Sequence, residues 1–278
     1  MNRKDFLKLS GLLLASPFYA NMTSKEKKLM PAIFLSHGSP MNIIRDNKFT
    51  KSLKDVTKTF EKPNAIIVIS AHWYQNKTLI SNSEDQDTIY DFYNFPDELY
   101  NIVYEPKGEP ALAEKVSKLL ENSILEDRGL DHGAWSMLKH MYPNADIPTF
   151  QISINKNLGY EQHFELGAIL SKLREHGVLI IGSGSVTHNL RLTKRNDNNV
   201  DDWAKIFDDF VKNSFSNKEF LNIINAKKHP LFNISHPFDE HYIPLLYTAG
   251  MTKKSDKVEH FYEEIVSGNL SMRCIKVG

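Results

Sequence analysis

A chain of 278 residues with 41% hydrophobic and 24% charged side chains has an ordinary globular composition, enough for one large domain or two small ones. Its 34 basic and 34 acidic side chains cancel, so no net field draws in nucleic acid or an anionic membrane. Cys274 is the only cysteine, which excludes an intrachain disulfide and a cysteine-built zinc site; any metal must be held by histidine and carboxylate.

The first residues, "MNRKDFLKLSGLLLASPFYA", run from a basic start through a short apolar stretch to small residues. That order fits an export signal, and "RKDFLK" is similar to a twin-arginine signal with one Arg replaced by Lys, although Phe18 suits a cleavage site poorly. The apolar part is too short for a stable membrane span. Residues 1–28 are therefore read as an export signal or a disordered N-terminal segment, and residues 29–278 as one domain.

From there short apolar runs alternate with helical patterns. "PAIFLSHG" (31–38) and "NAIIVISAHW" (64–73) read as buried strands, with "FTKSLKDVTKTF" (49–60) as a helix between them. "EPALAEKVSKLLE" (109–121) places Leu112, Val116, Leu119 and Leu120 at helical spacing, and "GAWSMLKHMYP" (133–143) is a short helix stopped by Pro143. "IPTFQISI" (147–154) is a strand, "YEQHFELGAILSKLREHG" (160–177) a helix closed by Gly177, and "VLIIGSGSVTHNL" (178–190) a strand running into polar residues. "DDWAKIFDDFVKNSF" (201–215) is a helix; "VEHFYEEIV" and "SMRCIKVG" read as edge strands. Near-continuous Ile/Val runs mean strands covered on both faces. The fold class is α/β: a central mixed, mostly parallel sheet with helices on both sides.

Most of the 11 histidines have unremarkable readings. His176 precedes a helix-ending glycine, and His140, His163 and His260 sit in helix or edge-strand patterns. Three others share one topological position: His37 follows "AIFLS", His72 follows "AIIVISA" and His188 follows "VLIIGSGSVT". Carboxyl ends of strands are where open α/β sheets bind ligands. Burying each Ile or Val of such a strand is worth about 1.5–3 kcal/mol, so the side chains at its end stand on a firm platform. The segment "HPFDEHYIPLLY" (236–247) adds His236, Asp239, Glu240 and His241. If it is helical, Glu240 and His241 point about 100° apart and do not both reach one ion. A divalent metal site at the strand ends is the expectation from the residues alone.

The same stretches carry a resemblance. "HGSPMN" (37–42), "SAHWY" (70–74), "DHGAWSMLKHMYPNADIP" (131–148), "GSGSVTHNLR" (182–191) and "EHYIPLLY" (240–247) are similar to class III extradiol ring-cleavage dioxygenases of the DOPA 4,5-dioxygenase type. The resemblance covers about residues 31 to 278 and implies that His37, His72, His188 and His241 bind the metal, Zn(2+) or Fe(2+). It leaves Glu240 as a rival to His241, and His188 as ligand or acid/base. It implies that His132 is a second proton-transfer group, that the substrates are a small catechol and O2, and that the product is a muconic semialdehyde. Trp73, Tyr74, Phe95 and Trp135 are candidates for stacking on the substrate ring, and Ser39, Asn42 and Arg191 for its polar groups; core packing explains the aromatics equally well. Ser183 or Ser185 as a nucleophile beside His188 lacks the G-x-S-x-G elbow. Two other functions stand against dioxygenation: a zinc hydrolase using bound hydroxide, and a non-catalytic Memo-like binding protein.

Overall fold

The computed structural model describes residues 29–194 and 199–278; the expected export segment, residues 1–28, lies outside the described residues. In chain order the main elements are β1 (Ala32–Ser36), α1 (Lys48–Val56), β2 (Ala65–Gln75), β3 (Leu79–Ser81), α2 (Pro110–Leu119), β4 (Ile124–Glu126), α3 (His132–Met141) and β5 (Thr149–Asn155). They are followed by α4 (Tyr160–Leu170), β6 (Val178–Gly184), α5 (Asp202–Ser216), α6 (Phe220–Ile224), α7 (Phe232–Ser235), α8 (Ile243–Met251), β7 (Val258–Tyr262), β8 (Ile265–Val266), β9 (Leu270–Ser271) and β10 (Cys274–Val277).

Eight strands form one mixed sheet in the order β4-β3-β5-β2-β6-β1-β10-β7, and β8 and β9 pair as a separate hairpin. The centre is parallel: β1 and β2 both run alongside β6, and β5 alongside β2. The apolar runs explain it. In β1, Ala32 and Phe34 pack into one core layer while Ile33 and Leu35 pack into the other; in β2, Ile67 and Ile69 oppose Ile66 and Val68 in the same way. Side chains alternate across a strand, so only an uninterrupted apolar run can feed two cores at once. Helices α2, α4, α5 and α8 cover one face, and α1 and α3 the other.

Two expectations about strands need correcting. β10 is not an edge strand: it is hydrogen-bonded antiparallel to β1 on one side and β7 on the other, burying Cys274, Ile275 and Val277. Its four residues are too few to show from pattern alone whether one flank or two are paired. His72 does not follow its strand but lies within it, since β2 continues to Gln75. The pairing of β2 with β5 breaks between Ile69 and Tyr74, and this irregular stretch is where the strand turns His72 into the site.

Among the described residues no helix is long and apolar enough to cross a membrane.

Candidate metal centre

At the carboxyl ends of the parallel strands lies a cavity of about 680 Å³. His37, one residue past β1, His72 within β2, His132 at the start of α3, His188, four residues past β6, and His241, just before α8, all line it. The rings are tightly grouped. His37 and His72 have centroids 4.8 Å apart, and His72 and His132 4.0 Å. His241 is 5.2 Å from His37 and 5.1 Å from His72, with His188 stacked on it at 3.6 Å and 10°. Two close approaches permit this. A Cβ on Gly133 would lie 2.6 Å from Ser70 Oγ and 2.9 Å from the His72 ring, and one on Gly184 would lie 2.2 Å from the His241 carbonyl. Only glycine lets α3 and the 240–242 turn come this near β2 and β6.

Hydrogen bonds to Nδ1 turn Nε2 of His37, His132 and His241 inward. Ser183 Oγ donates its one proton to the Gly133 carbonyl (2.5 Å), so it can only accept from His37 Nδ1 (2.9 Å). Asp91, an acceptor, sits 3.4 Å from His72 Nδ1 and 2.9 Å from His132 Nδ1. Glu240 Oε1 is 3.0 Å from His241 Nδ1. The inner nitrogens, Nε2 of His37 and Nε2 of His72, lie 3.0 Å apart. Two imidazole nitrogens at that spacing either share a proton or stand side by side as ligands of one cation about 2.0–2.1 Å from each, and neutral imidazole nitrogen is a good ligand for zinc or iron. The donor set therefore fits a divalent metal. Three-residue groupings of donor atoms within 4.8 Å comprise His37, His72 and His132 on one side, and His188, Glu240 and His241 on the other.

Burial holds His37, His72, His188 and His241 neutral. Burial, then the neighbouring rings, pushes His37 and His241 well below the ordinary histidine value. Burial lowers His72 to about 3, with His132 adding and Asp91 opposing, and lowers His188 to about 4. Asp91 goes the other way from what its burial favours: the hydrogen bond and charge of His132, with His72, bring it down to about 2. Burial raises the Glu240 carboxyl.

The other sequence candidates separate. His236 is buried among Phe207, Phe232 and Tyr242 and donates from Nε2 to the Val186 carbonyl; Asp239 accepts from Tyr74, Tyr160 and Lys227; neither lines the cavity. Glu240 and His241 lie in a turn before α8, not in a helix, so both reach the cavity while Glu240 also holds the His241 ring. Phe95 lines the mouth beside Phe92 and Tyr93, whereas Trp73 and Trp135 are core residues and Tyr74 points to Asp239. Ser39 lines the cavity; Asn42 is buried and donates to the His37 carbonyl. Arg191 borders a smaller adjoining pocket, over the Phe238 ring. Ser183 serves His37 and not His188. Sequence reasoning missed Asp91 altogether. Its one signal is an acid inside the aromatic run "YDFY" (90–93), next to Phe92, whose burial carries it inward.

Residues 30–272 match the family model described as the catalytic LigB subunit of aromatic ring-opening dioxygenase. The chain is 39% identical over 257 residues to the 4,5-DOPA dioxygenase extradiol of Escherichia coli K12, covering 90% of this chain and 95% of that one. The Beta vulgaris protein of the same name is 38% identical, covering 90% and 97%. A crystal structure of an uncharacterised protein from Escherichia coli K12 superposes with a TM-score of 0.80 at 37% identity, over 90% of this chain and all of that one. The chain belongs to the LigB family of class III extradiol dioxygenases and is a ring-opening oxidoreductase; the hydrolase and the non-catalytic readings are not favoured.

Proposed function

We propose that this enzyme opens the ring of a DOPA-like catechol with O2, using a divalent metal held by His37, His72, His188 and His241. The observation that carries the metal is the pair of Nε2 atoms of His37 and His72 facing each other at 3.0 Å inside the cavity. Iron(II) bound there would supply the redox chemistry that joins O2 to the ring, which zinc cannot do. The relatives named as DOPA dioxygenases support the substrate class.

The chain's own residues account for the rest. A catechol entering past Phe92, Tyr93 and Phe95 meets flat apolar surface, and the same cavity is lined by the histidines. His132 carries its Nδ1 proton toward Asp91 and so presents Nε2 as a base for a catechol hydroxyl. Of the two readings of His188, ligand or base, the grouping of its donor atom with those of Glu240 and His241 within 4.8 Å supports the ligand. Glu240, bonded to His241 Nδ1, orients that ring.

The test is to load purified protein anaerobically with Fe(II) or with Zn(II), add DOPA, and admit air. Oxygen uptake and a yellow semialdehyde with iron alone support the proposal. Ester or amide turnover by the zinc form, with no oxygen consumed, would replace it with metal-hydroxide hydrolysis.

A further inference from the structure

We propose that Asp91 is a positioning residue that sets the tautomers of His72 and His132 and thereby keeps the metal site open. The proposal rests on the metal reading above. Asp91 comes from the connection after β3, and its place is braced on every side. Ile89 donates to the Leu130 carbonyl, Trp135 Nε1 to the Ile89 carbonyl and Tyr100 to the Phe92 carbonyl, while Phe92 packs against the His132 ring. The carboxylate is thus delivered rigidly between two imidazoles. One oxygen accepts from the His132 backbone N–H (2.8 Å) and from His132 Nδ1 (2.9 Å); the other faces His72 Nδ1 at 3.4 Å.

A carboxylate can only accept, so it holds the His132 proton on Nδ1 through a hydrogen bond and favours the same tautomer of His72 through its charge, with Nε2 turned to the cavity in both. For His72 this matters because of what lies opposite. His37 Nε2 is 3.0 Å away, and Ser183 has already claimed the His37 Nδ1 proton. With its proton on Nε2, His72 donates to His37 Nε2 across that 3.0 Å in an ordinary hydrogen bond, which a cation must break to enter. Asp91 disfavours that tautomer. It therefore acts against the self-paired state of the empty site, and does so from outside the set of metal ligands. The same carboxylate holds His132 as an acceptor of substrate protons, so one loop side chain coordinates both functions.

Asp91→Asn separates this role from a merely structural one. Asparagine keeps the size and an oxygen for the His132 backbone N–H, but puts an NH2 donor toward His72 Nδ1, which favours the Nε2–H tautomer. Zinc affinity measured by chelator competition should fall 10–100-fold, with the melting temperature of the metal-free protein changed by no more than about 2 °C. On the unmutated protein, nitrogen-15 histidine NMR of the metal-free form should find the His72 proton on Nδ1. Unchanged zinc affinity in a folded Asp91→Asn protein would overturn the proposal, and so would a metal-free wild type whose His72 carries its proton on Nε2; the second result needs no variant to fold. Wild-type protein that binds no zinc would instead bring down the metal reading, and this proposal with it.

Discussion

The two ends of the sheet bury polar groups by opposite rules. At the amino ends of β1 and β6, Arg174 is wholly buried, yet its guanidinium donates to the carbonyls of Met30, Met251 and Val277 and pairs with Asp256 at 2.7 Å. At the carboxyl ends, His37 and His72 have polar partners for their outer nitrogens, while their inner nitrogens meet only each other. A buried charge with each guanidinium nitrogen matched ties segments together, here the start of β1, the end of α8 and the end of β10. A buried cluster whose inner donor atoms have only one another is poised for something from outside. The contrast distinguishes a staple from a binding site without reference to any relative.

Four measurements break or sharpen the contrast. Arg174→Ala strips the staple, leaving the buried Asp256 charge without its cation and three carbonyls without this donor, so urea denaturation should show a loss of about 3–5 kcal/mol, while zinc affinity of the folded fraction stays as in wild type. A similar loss of zinc affinity would mean that the two ends are not independent. His72→Ala should have the reverse effect: metal content after dialysis drops to background, and the stabilisation expected from zinc, about 2.7 kcal/mol at a hundred times its Kd, disappears.

Acid sharpens the comparison further. In the metal-free fold, burial holds His72 near 3 and His188 near 4, below the 6.5 of a free imidazole. Between pH 6.5 and about 4 the unfolded chain takes up protons that the folded rings refuse. Stability therefore falls as pH drops through that window, by about 1.4 kcal/mol per pH unit for each such ring, and levels off below the folded value. Urea midpoints from pH 7 to 4.5 measure the slope, and His188→Gln should make it shallower; an unchanged slope would place the acid sensitivity elsewhere. The smallest effect is expected at the mouth. Tyr93 is 80% exposed, so Tyr93→Ala should leave stability within about 0.5 kcal/mol of wild type and raise KM for the catechol a few-fold.

Legibility from sequence followed how local each cause is. The runs "AIFLS", "AIIVIS" and "VLIIG" identified their strands because two-sided burial is written residue by residue, and the histidines at their ends were visible for the same reason. β3 and β4, three residues each, gave no pattern long enough to recognise. Trp73 and Trp135 looked like ring-stacking candidates because sequence records an aromatic but not the side of the strand or helix it occupies; both are buried in the core.

The sequence by itself determined a two-faced Ile/Val sheet and the presence of His37, His72 and His188 at or near its rim, since periodicity and chain order are properties of neighbours; His132, and the choice of His241 among its neighbours, came from the family resemblance. Only the tertiary structure decided which nitrogen each ring offers. Asp91 lies 41 residues from His132, and Ser183 lies 146 from His37. Such partners are chosen by how the chain closes on itself, and a hydrogen bond leaves no trace in sequence spacing when its two ends meet only through the fold.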